Sequence, residues 1–329
     1  APVKKAMPVL SFPAIQLMGI SVRELISSSD AQARGMHLVA QRTDAAASVS
    51  LMDFSVEAEC FGSAIRVSDE EVPTVVGSIV STEEEARALA VPPVGAGRTG
   101  LYIEAIEKAV GLITDRPVFA GVIGPFSLAA RLLDVTEIMI YCYEEPDMVH
   151  VLLEKATQFI TEYCKAYKEA GANGVVIGAL TPDGELDLAQ MRRMMACAGQ
   201  MEVTLHRAFD MTRDSRQALE AVIRTGCRRV LTSGGRNTAQ EGIGTLRALA
   251  AQAAGRIEVM AGSGVGPSNA RLLAATGVDA LHFSARRERE SGMRFRNPQV
   301  SMGGCAGVPE YTLTDADESV VRQILAELG

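Results

Sequence analysis

Tryptophan is absent from this 329-residue chain, and aromatic residues make up only 5% of it. Cysteine is sparse and scattered: Cys60, Cys142, Cys164, Cys197, Cys227 and Cys305 include no close pair. That spacing argues against a disulfide framework and a CxxC zinc site, and it fits a reducing, cytoplasmic setting. No apolar run reaches the ~18 residues that a membrane helix needs. The nearly uncharged segment Pro117–Ala130 contains Gly121, Gly124 and Pro125, which reads as a buried strand and turn. The start, Ala1-Pro2-Val3-Lys4-Lys5, lacks the apolar stretch of a signal peptide. Positive charge is also in short supply. The net charge is −8, which disfavours nonspecific binding to phosphate backbones. Arg286-Arg287-Glu288-Arg289-Glu290 is mixed in sign and reads as a solvated loop. Neither a nucleic acid nor a membrane is an expected partner. The second half lacks lysine altogether: all six lysines lie at or before Lys168, and 18 arginines follow it.

What the chain does have is a repeated alternation of strand-like and helical segments. Eight segments are rich in β-branched or apolar residues: Met7–Ala14, Ala47–Asp53, Val118–Ile123, Gly174–Ala179, Glu202–Ala208, Arg229–Ser233, Ile257–Gly262 and Ala280–Ala285. Their near-continuous apolar character is what parallel strands covered on both faces require. Helical patterns separate the later ones, at Leu188–Cys197, Ser215–Thr225, Thr245–Ala254 and Ser268–Thr276. The spacing predicts an α/β fold, a single (βα)8 TIM barrel spanning residues 1–329. Its tempo changes at Gly174. Strands then recur every ~25–30 residues, the length of a minimal βα unit. Before Gly174 extra segments intervene, including helix over Ser21–Ala40 and Thr136–Ala170.

The two halves resemble different families. The first carries Met7-Pro8-Val9-Leu10-Ser11-Phe12-Pro13, Met52-Asp53-Phe54-Ser55-Val56-Glu57-Ala58-Glu59-Cys60-Phe61-Gly62, and Ala120-Gly121-Val122-Ile123-Gly124-Pro125-Phe126-Ser127-Leu128. Over roughly residues 4–176 it resembles the uroporphyrinogen decarboxylase superfamily, with the methylcobalamin:coenzyme M methyltransferases as the nearest branch. The second carries Gly178-Ala179-Leu180-Thr181-Pro182-Asp183-Gly184, His206-Arg207-Ala208-Phe209-Asp210, Leu231-Thr232-Ser233-Gly234-Gly235, Met260-Ala261-Gly262-Ser263-Gly264-Val265 and His282-Phe283-Ser284-Ala285. From about residue 174 it is similar to the copper homeostasis protein CutC family, whose own N-terminal half is missing here. Together the resemblances imply a barrel of two unlike (βα)4 halves, 1–176 and 177–329, with extra N-terminal helices.

What each resemblance implies chemically is incomplete in this chain. In the decarboxylases an aspartate at the position of Asp53 holds the tetrapyrrole, but Ile15-Gln16-Leu17-Met18 lacks the arginine of their Gln-Ala-Gly-Arg segment. The methyltransferase branch resembles zinc enzymes with His-x-Cys after strand five and a further cysteine. Here the sequence reads His206-Arg207-Ala208, and the last strand offers Ser284. One ligand where three are needed does not complete a zinc site. Copper would have to be held by scattered Cys, Met or His groups. Met194 and Met195 read as core filler.

In this fold the site lies at the C-terminal ends of the strands. The candidates there are Asp53, Asp183, His206, Arg207, Asp210, Thr232, Ser233 and Arg286. Asp53, His206 and Asp210 are the catalytic candidates. A His206–Asp210 pair could exchange protons, or Asp210 could pair with Arg207 while His206 is a hydrogen-bonded strand residue. The turns Ser233-Gly234-Gly235 and Gly262-Ser263-Gly264, with Ser284 and Arg286, could bind phosphate or sulfate through backbone N–H groups, or could simply be tight turns. Glu57 and Glu59 read as solvated or capping residues, and His37 and His150 as helical residues remote from the site. No bound cofactor is expected beyond a small anion at the barrel mouth. The expectation is a hybrid barrel without turnover. The alternatives are copper binding of the CutC type and a remnant of zinc-dependent corrinoid methyl transfer. Packing mismatch is expected between Gly174–Ala179 and Glu202–Ala208, at a cost of about 1–3 kcal/mol.

Overall fold

The structure is a computed structural model that describes residues 7, 12–178, 180–181, 183–297 and 311–329. Its strands are β1 (Ser48–Val49), β2 (Ala64–Arg66), β3 (Thr74–Val76), β4 (Val118–Phe119), β5 (Gly174–Ile177), β6 (Glu202–Leu205), β7 (Arg229–Thr232), β8 (Glu258–Gly262), β9 (Ala280–His282), β10 (Arg286–Glu290) and β11 (Thr312–Ala316). Seven form one parallel sheet in the order β1-β4-β5-β6-β7-β8-β9. Each successive pair is joined through helix, the arrangement of an α/β fold. Seven of the eight expected strands are therefore found among the described residues. Most of the first, Met7–Ala14, lies outside them. Pro13 and Ala14 belong instead to a helix, Pro13–Met18, with Pro at its first turn and Gly19 ending it at φ 66°.

Local signals set the crossover helices. Asp187 caps Leu188–Ala198 by accepting from the Gln190 N–H. Asp214 caps Ser215–Thr225 by accepting from the Arg216 and Gln217 N–H groups, and Gly226 closes that helix at φ 85°. The extra length of the first half becomes the helices Val22–Ile26 and Ser29–Arg42, the small antiparallel β2–β3 hairpin, and the long helix Pro146–Glu169. None of the described helices is long and apolar enough to cross a membrane. All five described cysteines are free; Cys305 lies outside the described residues.

The sheet is unevenly knit, with two register pairs between β6 and β7. β5 pairs with β6 at four positions and β7 with β8 at four, whereas β1 meets β4 at two and β4 meets β5 only at Phe119↔Gly174. The β4–β5 seam is pinned at its base by Asn173. The Asn173 N–H donates to the Val118 carbonyl, and Asn173 Oδ1 accepts from the Val118 N–H at 2.8 Å. Gly174 is required there. A Cβ on it would lie 2.5 Å from the Phe119 ring and 2.9 Å from the Glu202 carbonyl. The apolar core divides at the same place. One buried cluster runs from Val22 to Ala172 and a second from Ile177 to Ile324, with Met201 packed against both. The expected mismatch at β5 and β6 is a void rather than a pairing fault: that pair is in full register, residues of both strands line a cavity, and the break in pairing lies one strand earlier. Hydrogen exchange should report it, with amides of β4 exchanging at least about tenfold faster than those at the β7–β8 interface. Equal protection of both pairs would contradict a weak seam.

Arg286–Glu290 is not a loop. It forms β10, antiparallel to β11 with Arg286↔Ala316 in register, and Arg287 pairs with Asp317 at 2.9 Å. Its five residues are all exposed, which is why their charge resembles that of a solvated loop.

Candidate functional site

The residues beyond the C-terminal ends of the strands fall into three groups. The first is built around Asp53, just past β1. Its side chain is fully buried and its carboxylate is shared out internally. Oδ1 accepts from the Ser55 N–H at 3.0 Å and the Ser55 hydroxyl at 2.6 Å, while Oδ2 accepts from the Tyr102 hydroxyl at 3.0 Å and from Arg98. Arg98 also binds the Ser55 hydroxyl and Glu59. Burial disfavours the charged guanidinium, but Asp53 beside it outweighs that and holds the Arg98 pKa above its ordinary value. Asp53 is therefore a hub joining the loop after β1 to the helix Thr99–Leu112.

Glu57 differs from the expectation of a solvated or capping residue. It is 3% exposed, one helical turn beyond Asp53. Oε1 accepts from the Ile123 N–H at 3.1 Å, and Oε2 has no hydrogen-bond partner among the described residues. Burial pushes its pKa up to about 7, partly offset by hydrogen bonds from the backbone. Its neighbours include Tyr163 and Tyr167, whose hydroxyls bond each other at 2.7 Å. A cavity of about 10 Å³ lies against this group. The sequence gives only a weak hint: Val56-Glu57-Ala58 places one acid among apolar residues of a five-residue helix. Glu59, on the same helix, is not free in solvent either, because Arg98 Nε donates to its carboxylate.

The second group lies past β6 and β7. His206 Nδ1 accepts from the Ala208 N–H at 3.0 Å, so the neutral ring carries its proton on Nε2. Burial lowers the His206 pKa, and its hydrogen bond to the backbone only partly offsets this. Gly178 makes room for the ring: a Cβ there would lie 2.2 Å from Cε1. His206 and Asp210 do not form a proton-exchanging pair. Asp210 instead binds Arg207 Nε at 2.8 Å, the Thr232 hydroxyl, the Ser233 N–H and hydroxyl, and the Gly235 N–H at 3.0 Å. Burial opposes ionisation of Asp210, but these hydrogen bonds prevail and its pKa falls below the usual value. The anion that sits on the Ser233–Gly235 turn is thus the chain's own carboxylate, and the Gly234 N–H is used by the Thr232 hydroxyl. Asp183 is exposed, and its carbonyl accepts from Arg213 at 2.7 Å.

The third group is the turn past β8 and the end of β9. Ser263 adopts φ 81° and Gly264 φ 66°, a left-handed pair in which a serine is uncommon. The Ser263 hydroxyl donates to the Asn237 carbonyl, and Asn269 donates to the Gly264 carbonyl at 2.8 Å. Gly262 is buried, while Gly264, Ser284 and Arg286 are exposed. Among the described residues no three His, Cys, Asp or Glu side chains gather as a metal site.

Comparison with known proteins gives two families whose matches overlap. The family described as CutC matches residues 115–287, and the family described as uroporphyrinogen decarboxylase (URO-D) matches residues 1–200. The two matches overlap over residues 115–200, a stretch that contains the β4–β5 seam. A family protein CutC from Histophilus somni is 44% identical over 206 residues, covering 62% of this chain and 84% of that one. The human copper homeostasis protein cutC homolog is 45% identical over 157 residues, 47% of this chain and 58% of its own length. The chain likewise spans 58% of a CutC family protein from Bacteroides thetaiotaomicron. Among solved structures, a methyltransferase from Methanosarcina mazei superposes over 86% of this chain and 88% of its own, with a TM-score of 0.66 and 18% identity. That likeness concerns the fold alone. The chain belongs to two families, the URO-D family through residues 1–200 and the CutC family through residues 115–287.

Proposed function

We propose that the chain is a hybrid (βα)8 barrel in which a URO-D-type half, residues 1–176, is completed by a CutC-type half, residues 177–329, and that neither parental chemistry is intact. The observation that carries this reading is the β4–β5 seam, where one register pair separates two cores. The barrel reading needs one strand more than the seven described. Catalytic groups of such barrels come from several strands, so exchanging half of them disrupts the pre-organised geometry even where the fold survives. The catalytic candidates support that view. Asp53 and Asp210 are committed to internal hydrogen bonds, and no carboxylate among the described residues is bonded to His206 to orient it. The reducing setting inferred from the free cysteines goes with a cytoplasmic location.

What remains open to a ligand at the mouth is a small oxyanion, held by the Gly262-Ser263-Gly264 turn with Ser284 and Arg286. The Ser233–Gly235 turn contributes only if Asp210 gives it up. Titration with inorganic phosphate, followed by backbone amide NMR, is expected to shift Ser263 and Gly264 and to leave Ser233 and Gly235 in place. Saturating phosphate with no shift at Gly264 would exclude the anion site.

A second reading is copper handling, favoured by the name of the human relative, which is 45% identical over 157 residues of this chain. Calorimetric titration with copper under reducing conditions separates the two. The hybrid reading expects no stoichiometric binding tighter than micromolar, and such binding would establish the copper reading in its place. Zinc-dependent methyl transfer to coenzyme M is likewise not expected, because Ala208 stands where that chemistry needs a thiol.

A further inference from the structure

The seam between β4 and β5 opens into a cavity of about 480 Å³ that passes through the strand layer. On one side it reaches the interior of the sheet at Leu231, Met260 and His282; on the other it reaches the helices Pro146–Glu169 and Leu188–Ala198 at Thr161, Cys164 and Met194. A hydrogen-bonded strand pair would close that passage. Here the pairing stops after Phe119↔Gly174, and Val176 is left 50% exposed in the wall.

We infer that this seam cavity is a binding site for a neutral, largely apolar small molecule that carries one hydrogen-bond acceptor, such as a ketone carbonyl. Its volume is within the range of ordinary ligand pockets, roughly 300–1,000 Å³, and its wall is mainly aliphatic and thioether. Among the described wall residues Glu202 is the one carboxylate, and there is no lysine or arginine. Burial lowers the pKa of both His206 and His282, and burial, with Cys197 nearby, pushes the Cys164 thiol up to about 12. The acid at the rim, Glu202, faces Arg228 and Arg229, each at 3.8 Å. An anion would therefore lose its hydration without finding a cation among the described wall residues. His206 selects the acceptor: with Nδ1 engaged by Ala208, its ring has an Nε2–H to donate. This site is separate from the oxyanion site proposed at the mouth and does not depend on it.

The test is a fluorescence titration of the intact chain with 6-propionyl-2-(dimethylamino)naphthalene, a neutral naphthyl ketone whose emission moves to the blue in apolar surroundings. Saturable one-to-one binding with a blue shift is expected. Thr161→Phe and Val176→Trp, which fill the passage from opposite sides, should each weaken binding at least about tenfold, whereas Leu272→Trp on the outer surface should not change it. His206→Phe keeps a ring but removes the donor, and should weaken binding about fivefold. Circular dichroism identifies any filling variant that fails to fold, and the other then carries the test. Unsaturable binding, wild-type affinity in a folded filled variant, or displacement of the probe by inorganic phosphate would overturn the assignment.

Discussion

Glu57→Gln is expected to stabilise the protein at pH 8 and to leave its stability nearly unchanged at pH 4. The folded-state pKa of Glu57 stands at about 7 against 4.5 in the unfolded chain. Between those values the folded state binds more protons than the unfolded one, so its stability falls as pH rises through that window. Below pH 4.5 both states are protonated and nothing is lost; above about pH 7 the full penalty applies. A rise of that size corresponds to about 3 kcal/mol. Glutamine is close in shape and cannot ionise. Its oxygen can keep the Ile123 N–H, and its amide group takes the place of the unpartnered Oε2. Because protonated glutamic acid also leaves an unmatched group there, that cost largely cancels in the comparison. Urea unfolding at pH 4, 6 and 8 should show the two proteins diverging progressively with pH, by about 2–3 kcal/mol at the top. Parallel curves for the two proteins would mean that Glu57 is not held neutral by burial.

Asp210→Ala is expected to cost about 2–4 kcal/mol, and part of that loss should be restored by formate or phosphate. The carboxylate joins the short helix after β6, Arg207–Met211, to the turn after β7, and five donors converge on it. Removing it leaves the buried Ser233 N–H and the Thr232 hydroxyl without their acceptor, and releases the Arg207 guanidinium. Arg207 is 42% exposed, so water recovers part of its interaction and keeps the cost below that of a fully buried pair. An added anion can occupy the vacated turn, whose N–H groups are already oriented. Thermal unfolding of Asp210→Ala with increasing formate, compared with the same series on the wild type, measures this. A rise in midpoint confined to the variant is expected. A variant as stable as wild type, or one that formate leaves unmoved, would show that the carboxylate does not organise the turn.

These two aspartate and glutamate sites show how unevenly the chemistry could be read beforehand. His206, Asp210 and the glycine turns stand out because their motifs are contiguous, and the alternative of an Arg207–Asp210 ion pair follows from a three-residue separation on a tight turn. That Asp210 occupies the Ser233–Gly235 turn depends on a contact 23 residues away. Glu57 had only the weak signal of one acid between Val56 and Ala58. Its burial comes from Ile123, in the loop after β4, and from Tyr163 and Tyr167 of the helix Pro146–Glu169. The copper and zinc questions have the same character, since ligand sets are assembled across strands.

The order of the seven parallel strands, the helices between the later ones, the α/β class, the absence of a long apolar span and the change in character near Gly174 were determined by the sequence alone. Each is local: hydrophobic period, caps such as Asp187 and Asp214, and the run of arginines without lysine all act within a few residues. The tertiary structure alone decided where the two halves fail to mesh. Resemblance put the change inside β5, yet β5 pairs fully with β6, and the break lies between β4 and β5. The β4–β5 pairing depends on partners more than fifty residues apart, and on whether Phe119 can lie over a residue with no side chain. Gly174 allows that contact once, and past it the strands part around a cavity.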